Sequence, residues 1–194
     1  IFCEKGAYDT QLQKGNFQKN AVIFYDNKEI RGDSLYFENE RNYAAATNNV
    51  SVIDTLNKSV INGHYGEIFK AKDSAIITRR ALAINIIDQD SLYIHADTLI
   101  ATGPPEKKIL RGYYDVRIFK KDLRGKSDSL HLDQSTGLIK LLKLPLNRKE
   151  NQILSSSQKN KKNPILWFGK SQMSGDKIFL ISDIKTKKLD SLKI

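Results

Sequence analysis

Apolar and polar residues alternate with a period of two through most of this chain. Asn49-Val50-Ser51-Val52-Ile53-Asp54, Asp115-Val116-Arg117-Ile118-Phe119 and Asp128-Ser129-Leu130-His131-Leu132 are clear instances. A period of two puts successive side chains on opposite faces of an extended strand. Val, Ile, Tyr, Phe and Thr dominate these stretches, as strands favour. Turn-forming pairs punctuate them: Asn27-Lys28, Asn62-Gly63, Gly103-Pro104-Pro105, Arg124-Gly125, Thr136-Gly137 and Ser174-Gly175. Residues 74–87 are nearly all apolar except Thr78-Arg79-Arg80. Their β-branched content favours two strands joined at Arg79-Arg80 over a helix.

The pattern repeats. Asp33-Ser34-Leu35, Asp90-Ser91-Leu92, Asp128-Ser129-Leu130 and Asp190-Ser191-Leu192 each lead into alternating residues, and Asp73 and Asp176 open weaker copies. Five units follow, each of two strands and two turns. Their starts lie about 29 to 35 residues apart, except that the fifth is delayed. The delay is residues 143–162, a polar segment with a net charge of +5, read as an insertion in one loop. The repeated Asp residues are expected to bond local backbone where strands begin.

Alternation predicts an inward set. It comprises Val22 and Phe24; Val50 and Val52; Leu82, Ile84 and Ile86; Leu92 and Ile94; Val116 and Ile118; Leu130 and Leu132; Ile165 and Trp167; Ile178 and Leu180. Ser51, Asn85, His95, Arg117, His131 and Lys177 fall on the opposite face. A long sheet with one apolar and one polar face must fold over on itself, as a sandwich, barrel or jelly-roll. The fold class predicted is all-β, with repeated two-strand units spanning residues 1–194 as one segment.

Composition narrows the function. At 194 residues with 40% apolar and 28% charged content, a folded protein is expected, burying roughly 70% of the surface its unfolded chain exposes. No apolar run approaches the roughly 20 residues of a membrane-spanning helix. The first and last residues read as interior to a longer protein. Cys3 is the only cysteine, so no internal disulfide can form. His64, His95 and His131 occupy comparable places in successive units, without metal-ligand spacing. There is no phosphate-cradling glycine loop, nucleophile elbow or cysteine pair. Neither cofactor, metal nor catalysis is expected. Half of the net charge of +10 lies in residues 143–162, which hold no Phe, Tyr or Trp. Stacking platforms for nucleic acid are absent there, and nucleic acid is not an expected partner. The segment reads first as a solvated loop, and attraction to phosphate-bearing lipid headgroups is the second reading of its charge.

Three passages together resemble the OstA/LptA-like family, in particular its Bacteroidetes-type OstA-like members: residues 20–37, residues 62–74, and residues 163–180 with Trp167, Gly169, Gln172 and Gly175-Asp176. The resemblance implies an antiparallel β-jelly-roll with an apolar groove, and a periplasmic role in moving lipopolysaccharide between inner and outer membrane. It implies lipid A acyl chains as ligand, edge-strand addition to other jelly-roll domains of the transport system, head-to-tail association of copies, and no catalytic residues. The inward set other than Leu82 and Leu92, Ile86 included, becomes the candidate groove, with Phe24 and Trp167 as preferred contacts. Two other readings stand beside it. One is a non-catalytic β-repeat scaffold that binds envelope proteins and has a dry core. The other is a carbohydrate-active enzyme with converging carboxylates.

Overall fold

The computed structural model describes residues 1–85, 91–144, 163–183 and 189–194. Among them, fourteen strands form one antiparallel sheet. They are β1 (Lys5–Asp9), β2 (Lys14–Tyr25), β3 (Lys28–Glu38), β4 (Tyr43–Asp54), β5 (Ser59–Phe69), β6 (Ser74–Asn85), β7 (Leu92–Thr102), β8 (Ile109–Lys120), β9 (Leu123–Asp133), β10 (Leu138–Leu142), β11 (Ile165–Phe168), β12 (Ser171–Ser174), β13 (Lys177–Ser182) and β14 (Leu189–Lys193). Neighbours in sequence pair as a meander up to β10, which then pairs with β13 and β13 with β14. β9 forks: its first half pairs with β11 and its second half with β10.

The long strands are bent in the middle by one repeated device. β2, β4, β6 and β8 each carry two consecutive left-handed residues: Lys19 and Asn20, Asn48 and Asn49, Arg79 and Arg80, Tyr114 and Asp115. Each pair faces a single residue on the next strand: Asp33, His64, Asp97 or Asp128. Two residues against one is a β-bulge, which bends the strand and raises its twist. Four bulges in line crease the whole sheet, and the two halves close into a jelly-roll. The first layer holds the C-terminal halves of β2, β4, β6 and β8, the N-terminal halves of β3, β5, β7 and β9, and β11 and β12. The second layer holds the complementary halves with β1, β10, β13 and β14. Asparagine tolerates the left-handed region best among non-glycine residues, and Asn49 is clamped there: its Nδ2 donates to both carboxylate oxygens of Asp33, at 3.1 and 3.0 Å.

One continuous hydrophobic cluster fills the space between the layers. Leu35, Ile77, Leu99, Leu141 and Ile178 from the second layer are completely buried, as are Ala21, Ala81 and Leu166 from the first. Near the crease the layers approach so closely that glycine is required. A Cβ on Gly63 would lie 2.5 Å from Ile77 Cγ2 and 2.9 Å from the Thr78 carbonyl oxygen.

Several sequence expectations are corrected here. Asn62-Gly63 and Arg124-Gly125 are not turns; they lie inside β5 and β9, where glycine serves close approach. Asp33 and Asp128 sit in mid-strand opposite bulges, whereas Asp73 and Asp176 do precede β6 and β13. Asp90 lies outside the described residues. Residues 74–85 form a single strand creased at Arg79 and Arg80. The histidines are not equivalent: His64 sits at the crease, His95 in the first layer and His131 in the second. Of the basic insertion, residues 145–162 lie outside the described residues.

The inward set is corrected at three strand segments. In β2, Ala21 and Ile23 are buried, while Val22 is half-buried and Phe24 is 58% exposed on the outer face. In β6, Ala81 and Ala83 point inward, and Leu82 and Ile84 outward. In β11, Leu166 is buried and its neighbours Ile165 and Trp167 face outward. Asn85 shares the inward face of Ala81 and Ala83. The reason is common to β2, β6 and β11. Each holds four consecutive apolar or small residues, so alternation alone leaves the phase open. The tight interior then takes the smaller side chains: Ala21 lies opposite Gly32 and Leu166 opposite Gly125. Val50, Val52, Leu92, Ile94, Val116, Ile118, Leu130, Leu132, Ile178 and Leu180 are buried between the layers. Ile86 lies outside the described residues.

Candidate functional interior and its seam

The crease closes one long side of the roll with continuous backbone. The other long side is a seam where two rows of hairpin turns meet: 26–27, 55–58 and 121–122 from the first layer, and 39–42, 70–73, 103–108 and 134–137 from the second. Backbone hydrogen bonds run along each row, such as Thr55 N to Asn27 O at 3.0 Å and Gln134 N to Lys108 O at 3.0 Å. Among the described residues, none of these backbone bonds crosses from one row to the other. Among the described residues, the layers are joined across the seam by side chains.

Three such links lie in the N-terminal half. Lys28 Nζ is 3.4 Å from Asp73 Oδ1, Lys108 Nζ is 3.5 Å from Asp54 Oδ2, and the Lys70 ammonium stands 4.3 Å from the centre of the Tyr25 ring. Asp54 is the most constrained of these groups. Burial pushes its carboxyl pKa up, but Asn57, donating from side chain and backbone, and Lys108 outweigh that and hold it below the usual carboxylate range. Asn27 Nδ2 also donates to it, at 2.9 Å.

Behind the seam, among the described residues, three cavities are strung along the roll. The first, about 50 Å³, lies under Tyr25, Lys28, Asp54 and Asp73. The second, about 30 Å³, shares Ser59, Ile61, Ala101 and Lys108 with the first. It shares Asn85, Leu92, Leu132 and Gln134 with the third, which is about 300 Å³ and lies at the C-terminal end. Both layers line that end cavity. Leu92, Leu123, Leu132, Ile139, Leu180 and Leu189 form its walls, with Asn85, Asp122, Gln134 and Ser182 among its polar groups and Phe168 also lining it. Among the described residues, the space behind the seam is thus small toward the N-terminal end and largest at the C-terminal end.

The structure brings Leu132 and Leu180 of the predicted set into the end cavity, and places Val52 and Ile94 along the smaller ones. Val50, Val116, Ile118, Leu130 and Ile178 are buried nearer the crease. Val22, Phe24, Ile84, Ile165 and Trp167 lie on the outer face, although Ile84 also borders the second cavity. Sequence reasoning missed Leu123, Ile139 and Leu189. The phase change at the crease of β9 concealed Leu123, and Ile139 stands in the nearly all-apolar run Leu138–Leu142, where alternation leaves the facing open. It also missed the seam, because Lys28, Asp54, Asp73 and Lys108 are far apart in sequence and look like solvated turn charges. The buried acids Glu38 and Asp54 each face lysine, and no cluster of three or more His, Cys, Asp or Glu poised to hold a metal ion occurs among the described residues.

No protein-family model matches the chain, and no curated protein does. Among solved structures it is similar to the crystal structure of LptH from Pseudomonas aeruginosa, the LptA-homologous periplasmic component of a lipopolysaccharide transport device. The identity is 11%, the match covers 55% of this chain and 75% of that one, and the TM-score is 0.49. A likeness of that size carries no functional argument.

Proposed function

We propose that this chain shelters the acyl chains of lipopolysaccharide between its two layers and forms part of a periplasmic path between inner and outer membrane. The observation that carries the reading is the string of cavities along a seam that no backbone hydrogen bond crosses among the described residues. A roll built this way can part along the seam without breaking a strand ladder. Burying one methylene is worth about 0.8 kcal/mol, so a chain of a dozen carbons gains roughly 10 kcal/mol on leaving water. That gain is large enough to offset the few side-chain links that hold the seam. The end cavity, about 300 Å³, is at the lower limit of ordinary ligand pockets, and it would be the part occupied first.

Association follows from the sheet edges. Among the described residues, β1 pairs only with β2, and all five of its residues are exposed; β14 pairs only with β13. Open edges are templates for strand addition. On this reading they receive other jelly-roll domains of the transport system, or further copies head to tail. A second reading is favoured by one observation: the interior nearest the crease is fully packed around Leu35, Ile77 and Leu99, as a scaffold with a dry core would be.

Photocrosslinking in cells separates the two. With a photoreactive residue at Leu123, Leu180 or Leu189, crosslinks to lipopolysaccharide are expected; at Arg117 or Lys177 they are not. Absence at all three inward positions, with the protein folded and exported, rejects the transport reading in favour of the scaffold.

A further inference from the structure

The large apolar residues displaced from the interior are not scattered. Cross-strand register puts Ile53 opposite Val60, Val60 opposite Ile84, Ile84 opposite Tyr93, and Tyr93 opposite Phe119. Phe119 then faces Arg124, and Arg124 faces Trp167. From β4 to β11 this is one unbroken row on the outer face of the first layer, seven positions of which six are apolar or aromatic, and Glu29 of β3 ends it. Tyr93 is 39% and Phe119 44% exposed, with their ring centres 6.1 Å apart. A contiguous apolar stripe on an exposed sheet face marks a contact surface.

Charge says what kind. From β7 to β12, the outward positions of this row and of the one beside it carry Arg117, Arg124 and Lys126 and no carboxylate. Arg117 is held by Asp115 at the crease, 2.9 Å away. Arg124 instead lies over the Phe119 ring, 5.4 Å from its centre. Among the described residues no salt bridge engages Arg124 or Lys126. Tyr and Trp beside aliphatic residues, with unpaired cations on the flank, are the composition of a surface that rests at the boundary of an anionic bilayer. A sugar-binding platform would instead need polar acceptors among the rings. Here Gln172 Oε1 is already engaged by the Trp167 indole N–H at 2.8 Å.

We propose that the outer face of the first layer, centred on Tyr93, Phe119, Arg124 and Trp167, docks on the surface of an anionic phospholipid membrane. The contact is independent of the interior path, because it uses side chains on the opposite face of the sheet. It would hold the first layer flat against a membrane, with the seam along one side of the contact.

Trp167 is the only tryptophan of the chain, so its fluorescence reports on this face alone. Titration with phosphatidylglycerol vesicles is expected to shift its emission to the blue and to sediment the protein, whereas phosphatidylcholine vesicles do neither. Each basic residue near an anionic surface contributes a factor of about five, so R124Q/K126Q should weaken binding roughly 30-fold. K140Q, on the outer face of the second layer, should change it little. Circular dichroism establishes that each variant is folded. The proposal is overturned if anionic vesicles leave emission and sedimentation unchanged, or if R124Q/K126Q binds as well as the parent. It is also overturned if soluble RNA or heparin reproduces the shift without lipid, which would make the partner a polyanion.

Discussion

Replacing Lys108 by Met tests whether the seam is held as described. Met keeps most of the aliphatic stem and removes the ammonium 3.5 Å from Asp54. Asp54 keeps three donors, Asn27 Nδ2, Asn57 N and Asn57 Nδ2, each at 2.9 Å, so its charge is not abandoned. The loss should therefore fall well below the 3–5 kcal/mol of a buried ion left without a partner. About 1–2 kcal/mol is expected, in the range for a bond to a charged group, or about 2–8 °C in Tm for a chain of this size. D54N should cost more, about 3 kcal/mol, because it strands Lys108, whose side chain is only 11% exposed, and turns two acceptor oxygens into one. The two effects should couple by at least about 0.5 kcal/mol in a double-mutant cycle. Urea unfolding followed by circular dichroism measures all three. The acid limb should move as well. The folded pKa of Asp54 is depressed, so its stabilisation is complete above the unfolded value of about 3.9 and is lost as pH falls through the folded value. With one depressing group gone, K108M should lose that stability at a higher pH than the parent. If K108M lies within about 0.5 kcal/mol of the parent, or D54N costs no more than K108M, the pair does not hold the seam.

Three further outcomes follow from the crease and the second layer. Gly63→Ala drives a Cβ to 2.5 Å from Ile77 Cγ2 and should cost about 1–3 kcal/mol by equilibrium unfolding; no loss would mean that the layers are less closely spaced there. Deleting Asn49 removes one of two left-handed residues and reverses the facing of half of β4, turning Val50 and Val52 outward. A cooperative unfolding transition preserved in that variant would refute the bulge account. His131 has its pKa lowered by burial first and by Arg111 and Lys140 next, with Asp133 opposing them. The folded state then resists protonation, so stability present above about pH 6.5 is lost as pH falls through the lowered value. H131N should flatten the dependence of Tm on pH between about pH 5 and 8, and an unchanged slope would remove His131 as its source.

The strands, their pairing in two-strand units and the doubling-over were legible because alternation survives in most segments. The crease was not. Its signals, Asn48-Asn49, Arg79-Arg80, Gly63 and Gly125, are the residues that ordinarily announce a turn, and only the finding that strands of 11 or 12 residues run through them gives them their other meaning. The phase of alternation was legible where polar residues interrupt it, as at Val50-Ser51-Val52 and Val116-Arg117-Ile118. It was lost where four apolar or small residues stand together, as at Ala21-Val22-Ile23-Phe24. Size then misleads: Phe24 and Trp167 look like core, yet the space near the crease admits only Ala21 and Leu166. The seam was illegible for another reason, since ion pairs such as Lys28–Asp73 and Lys108–Asp54 join residues 45 and 54 positions apart.

Crease and seam together determine where a lipid chain could travel. The crease is lined by Gly63 and Gly125 and by alanines, with no room for an added methyl group at either glycine, so nothing thicker than the existing side chains can pass beside it. All three cavities instead touch residues of the hairpin turns or the strand ends next to them, at the seam. On the proposed reading the acyl path therefore runs just inside the seam. The two lysine–aspartate links lie over the smaller cavities, toward the N-terminal end, while the 300 Å³ space at the other end has neither over it. An acyl chain entering at the C-terminal end would advance toward the N-terminal end as each of these two lysines is drawn off its carboxylate. Lys108 lines both smaller cavities, so an advancing chain would meet its ammonium on leaving the end cavity.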